Sequence, residues 1–188
     1  MEVHMHFVPK ITYPADGTNI FIGEDHYLNQ RLAEDVPVTE LRLKEVIMDF
    51  LYSVYNGPLR DAIRIQLSGG VSEDLTFLGE RVLILDLLMH MLQNSKEAGA
   101  SIFDLTVEHD EQELRLVVCD DGSGIDTSHL VDGVPAGYTK KALGWGWSLH
   151  DAAINITKIG ASALYNGAGI DGGGARFVIS FLRRMPKE

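Results

Sequence analysis

The sequence predicts an α+β fold: a two-layer sandwich in which a mixed β-sheet carries helices on one face, preceded by a helical hairpin. Three observations predict it. After Gly70 the patterns run helix, two strands, long loop, helix, two strands. The stretch LVVC, Leu116 to Cys119, is apolar throughout, as a buried strand would be. Thr39 to Leu67 carries apolar residues at helical spacing, interrupted at Gly57-Pro58.

Glu2 to Val8 alternates, with Val3, Met5 and Phe7 on one side and His4 and His6 on the other, and reads as a strand. His4 and His6 could ligate a metal as an HxH pair, but no third ligand is apparent, so a solvent-facing strand is the preferred reading. Ile11 to Val38 is rich in turn formers, with a short strand near Ile20 to Ile22. Thr39 reads as an N-cap with Glu40 in the first turn, and Leu41, Val46, Ile47, Phe50, Leu51 and Val54 come after it at helical spacing. Gly57-Pro58 kinks or breaks that helix. Leu59, Ile63 and Leu67 resume the period until Ser68-Gly69-Gly70 stops it. Three regions result: a strand-containing segment 1–38, a helical hairpin 39–72 and a domain 73–188. Within the domain, Asp74 to Leu78 reads as a short strand and Glu80 to Ala98 as a long helix stopped by Gly99. Ser101 to Glu108 and Glu113 to Cys119 read as strands. Asp121 to Gly144 is a polar loop, longer than a compact domain usually holds without a purpose. Trp147 to Ile159 reads as a helix, and Ala161 to Tyr165 and Ala175 to Phe181 as strands around GAGIDGGG.

Composition narrows the function. The chain has 188 residues, 45% apolar, which suits one domain or one domain with a helical extension. A formal net charge of -11 repels phosphate backbones and anionic lipids, so nucleic acid and membrane partners are disfavoured. Cys119 is the only cysteine, which excludes an intrachain disulfide and fits a reducing cytoplasm. No apolar run approaches the roughly 18–20 residues of a membrane span. MEVHMHF lacks the basic region and apolar core of a signal peptide.

Four local features carry chemistry. In HMLQNSKEAGA, Asn94 ends an apolar helix. Its amide oxygen could ligate a hard cation such as Mg2+, or simply find a backbone partner. In CDDGSGI, Asp120 emerges from a strand and Gly122 and Gly124 remove side chains beside it. A carboxylate there can accept from an exocyclic amine while a flat ring lies on bare backbone; the plainer reading is a turn. A calcium loop fails in register, since its first ligand would be Cys119 and its last Leu130. In TKKALGWGWSLHDA, Gly144 and Gly146 precede a helix whose amides can face an anion, with Lys140 and Lys141 nearby; alone this is a flexible helix entry. GGGARFVISF is a glycine bend into the last strand.

Together, in this order, they resemble the GHKL superfamily of ATP-binding domains: gyrase, Hsp90-type chaperones, histidine kinases and MutL-type repair proteins. QNSKEAGA is similar to the N box, DDGSGI to the G1 box, GWGWS to the G2 box and GGGARF, with Gly174, to the final glycine box. GYTKK resembles the short phenylalanine box and lid of histidine kinases, with Tyr138 at the aromatic position. The resemblance spans about Asp74 to Leu182, and implies the histidine kinase-like ATPase fold with ATP and Mg2+ as cofactors. By the same resemblance, Asn94 would ligate Mg2+ on the nucleotide phosphates and Asp120 would accept from the adenine amine. Gly122 and Gly124 would make room for the ring. Gly144, Trp145 and Gly146 would meet the phosphates, and Lys140 or Lys141 the terminal one.

The departures are informative. Hydrolytic members carry a Glu one helical turn before the Asn; here His90 stands there. A His can act as a base near neutral pH, but its presence tilts the expectation from hydrolase towards kinase; the plainer reading is that His90 only packs at the helix face. Ala175 replaces a Thr that helps hold adenine. Trp145 and Trp147 replace small or aliphatic residues. MDFLYSVYNGPLRDAI resembles a dimerisation hairpin without its phosphoacceptor His: Tyr52 falls nearest that position, one residue too far from Pro58. The expected function is therefore phosphoryl transfer to a separate partner protein, or a nucleotide-driven change of shape. A homodimer through 39–72 is an accompanying expectation, the alternative being that these helices pack on the ATP domain of their own chain. The alternatives are a slow ATPase acting as a conformational switch, and a non-catalytic phosphotransfer or interaction scaffold that has lost ATP binding.

Overall fold

The computed structural model describes residues 37–69, 71, 74–131, 134–135 and 148–183. Along the chain run β1 (Thr39–Arg42), α1 (Leu43–Tyr55), β2 (Arg64–Ser68), β3 (Thr76–Gly79), α2 (Arg81–Glu97), β4 (Ile102–His109), β5 (Glu113–Asp120), β6 (Leu130–Val131), β7 (Val134–Pro135), α3 (Ser148–Thr157), β8 (Ser162–Tyr165) and β9 (Arg176–Leu182). The main sheet is mixed and five-stranded, in the order β2-β4-β5-β9-β8. Only the β2–β4 pair is parallel; β4–β5, β5–β9 and β8–β9 are antiparallel.

Alternation turns one face of this sheet inward. Phe103 and Leu105 of β4, Leu114, Leu116 and Val118 of β5, and Phe177, Ile179 and Phe181 of β9 are buried there. Helix α2 answers with Ile84, Leu87, Leu88, Met91 and Leu92, one stripe at 3.6-residue spacing. Glu80 caps that helix, its carboxylate accepting from the backbone N–H groups of Val82 and Leu83. Helix α1 adds Leu43, Val46, Ile47, Phe50 and Val54 to the same core, with the Phe50 ring 6.1 Å from that of Phe103. The opposite sheet face is wetter; Asp104, Cys119 and Arg176 form a cross-strand row on it. Burial pushes the Cys119 thiol up from its ordinary value.

The helical hairpin expected over 39–72 is corrected. Thr39 does not cap a helix: Thr39–Arg42 is a strand paired antiparallel with Thr76–Gly79, and the helix begins at Leu43. The break at Gly57-Pro58 is real, but no second helix comes after it. Leu59 and Ile63 are buried in turns, and Arg64–Ser68 becomes the parallel edge strand of the main sheet. The stripe that suggests a homodimer, Val46, Ile47, Phe50 and Val54, is buried in the chain's own core. Among the described residues, the helices and strands read after Glu80 keep to their patterns within a few residues, but the loop read over 121–144 holds a short hairpin, β6 paired with β7. The strands read near Glu2 to Val8 and Ile20 to Ile22 lie outside the described residues. None of the described helices is long and apolar enough to cross a membrane.

Candidate functional site

Inward alternation along β5 does not end with Val118. Asp120 is the next residue on that face, and it is only 5% exposed. The strand thus delivers a carboxylate to the helix-covered side of the sheet. A buried carboxylate is costly unless its oxygens are hydrogen-bonded. Oδ1 accepts from the backbone N–H of Gly122 at 2.9 Å and of Ala175 at 3.1 Å. Oδ2 accepts from the Ser95 hydroxyl at 2.8 Å. None of these three donors is charged. A carboxylate takes about four hydrogen bonds, so, counting the described residues, Oδ2 has capacity for one more donor.

Bare backbone surrounds this group. The 120–124 turn and the 166–175 loop are stitched together by Gly174 N–H to the Gly122 carbonyl at 2.8 Å and Asp120 N–H to the Ala175 carbonyl at 3.0 Å. Gly174 has φ +61°, and a Cβ built on it would overlap the Asp120 carbonyl. Gly124 has φ +77°, and its Cβ would press on the Gly174 carbonyl at 3.0 Å. Both positions require glycine for conformation and for space. The last turn of α2 closes the third side, where Ser123 N–H donates to the Ala98 carbonyl at 3.0 Å. Asp121, beside Asp120, turns away: its Oδ1 accepts from the N–H groups of Ile102 and Ser101 at the start of β4, which holds its carboxyl below the usual range.

Asp120, Gly122, Gly124 and Gly174 therefore meet at one place. Asn94 precedes Ser95 on α2 and is half-buried. His90 lies one turn earlier, half-buried, with Nε2 3.5 Å from Asp86 Oδ1. Ala175 is buried and meets Asp120 through its backbone N–H. Lys140, Lys141, Gly144, Trp145 and Gly146, with Tyr138 and Trp147, lie outside the described residues. On α3, His150 is buried, and burial pushes its imidazole down to about 4.

Ser95 is the site residue that sequence reasoning missed. A signal was present: Ser95 falls four residues after Met91 on the buried stripe of α2, where an apolar side chain is expected. A hydroxyl at such a position needs a buried partner. What the local pattern does not tell is that the partner is Asp120, 25 residues away.

This architecture has clear counterparts among solved structures. Histidine kinase AdeS of Acinetobacter baumannii superposes with a TM-score of 0.63 at 15% identity, over 85% of this chain and 77% of that one. The catalytic domain of histidine kinase ThkA superposes with a TM-score of 0.62 at 19% identity, over 79% of this chain and 99% of that one. For the ATP binding domain of PrrB from Mycobacterium tuberculosis the values are 0.57 and 15%, over 81% and 100%. The chain shares the fold of these histidine kinase catalytic and ATP-binding domains. No protein-family model and no curated protein matches the sequence.

Proposed function

We propose that this chain binds Mg-ATP at the Asp120 site and acts as a histidine-kinase-like protein, passing a phosphoryl group to a separate partner protein. The observation that carries the reading is Asp120 itself: a buried carboxylate with one acceptor position left on Oδ2, bordered by backbone that has no side chains. An exocyclic amine suits that acceptor. The Asn94 amide is a hard oxygen ligand at the neighbouring helix end, a fit for Mg2+ carried on nucleotide phosphates. When bound, Mg2+ supplies neutralisation of phosphate charge. Lys140, Lys141, Gly144, Trp145 and Gly146 join the proposal from the sequence alone, as groups that would meet phosphate oxygens. A cytoplasmic location and a role in signalling go with this reading.

A second reading, slow hydrolysis driving a change of shape, is favoured by one observation. Asp86 lies beside His90 and can orient its ring, as a base needs. Terminally labelled ATP separates the two. The kinase reading predicts label on protein when a partner is supplied. The hydrolytic one predicts free phosphate from the chain alone, falling about 100-fold in His90→Ala.

A further inference from the structure

The Ser95 hydroxyl holds the one carboxylate oxygen of Asp120 that no backbone donor among the described residues reaches. We propose that Ser95 is a positioning residue for base recognition: it fixes Asp120 Oδ2 so that its remaining lone pair meets the amine of a 6-aminopurine nucleotide. The inference rests on the reading that the chain binds ATP.

Ser95 is 5% exposed and sits on the stripe of α2 that otherwise carries Ile84, Leu87, Leu88, Met91 and Leu92. An ionised carboxylate only accepts, so the hydroxyl donates. The contacts come from two sides. Gly122 and Ala175 hold Oδ1 from the glycine turn and the start of β9, while Ser95 holds Oδ2 from the helix. A carboxylate gripped from both sides cannot rotate away from an incoming amine, and preorganised acceptors lose less on binding. Ala175 brings a backbone N–H but no hydroxyl, so the hydroxyl of this site comes from the helix. Asn94 and Ser95 are consecutive. One helix turn therefore sets the base-recognising group and carries the amide assigned to the phosphate end, fixing the distance between them.

The test titrates the full chain with Mg-ATP and Mg-ITP, which has an oxo group in place of the exocyclic amine. Wild type, Ser95→Ala, Ser95→Cys and Asp120→Asn are compared, with thermal unfolding as a check on folding. Ser95→Ala is expected to weaken ATP about 10-fold and to leave ITP within about twofold, so the preference for ATP falls. Ser95→Cys fills the same space with a weak donor, carries the test if the alanine variant does not fold, and is expected to lose the same preference in part. Equal losses for both nucleotides, or unchanged preference in both folded variants, overturn the role of Ser95. If wild type prefers ATP and Asp120→Asn abolishes that preference while the Ser95 variants keep it, the ATP reading stands and only this inference falls. If wild type binds neither nucleotide, both fall.

Discussion

Asp120 is buried as a carboxylate among neutral donors, so each donor's geometry matters to it. The least tolerant neighbour is Gly174, whose φ of +61° and contact with the Asp120 carbonyl leave no space for a methyl group. Gly174→Ala is expected to cost about 2–4 kcal/mol, read as a lower urea midpoint with an unchanged slope. His150 gives a second residue-scale expectation. Its folded value of about 4 lies below the unfolded value of 6.5, so between them the unfolded chain binds a proton that the folded chain refuses. Stability is then full above about pH 6.5 and falls as the pH drops towards 4, by up to about 1.4 kcal/mol per unit. Asp110 and Asp121, held low by backbone N–H donors, add their own loss below that window. His150→Leu should flatten the slope between pH 6.5 and 4 in chemical denaturation across pH.

At the scale of elements, α1 behaves as core. Phe50 has no exposed surface and packs near Phe103, so Phe50→Ala is expected to cost about 3–5 kcal/mol in the same unfolding assay. How far each element is legible in the sequence depends on whether its cause is local. The stripe of α2, the alternation of β4 and β5 and the turn residues before β9 are written in neighbouring residues, and their bounds are legible to within a few positions. Asp120 and its glycines are legible for the same reason: strand end and turn are adjacent in the chain. Residues 59–67 are not. Leu59, Ile63 and Leu67 fit a helical period, yet Ile63, Ile65 and Leu67 also alternate. The choice is made by backbone bonds to Ile102–Thr106, a partner nearly forty residues away. Thr39 misleads likewise, since its strand is fixed by pairing with Thr76–Gly79.

For the molecule as a whole, 39–72 shares its layers with the rest of the described chain. A chain beginning at residue 73 would lose β1, α1 and β2 together, and uncover Phe77 and Phe103. It is expected to unfold without a cooperative transition, where the full chain shows one by calorimetry. On the proposed function, the sheet and α2 together present Asp120 and Asn94 to one nucleotide. Calorimetric titration of the full chain with ATP and a non-hydrolysable analogue, with and without Mg2+, beside Asp120→Asn, tests it most directly. Saturable, Mg2+-dependent binding is expected, and Asp120→Asn is expected to weaken it about 100-fold or more by removing the acceptor carboxylate from a buried site. Absence of nucleotide binding in the folded wild type would contradict the proposed function, and would leave a scaffold that works through its surfaces.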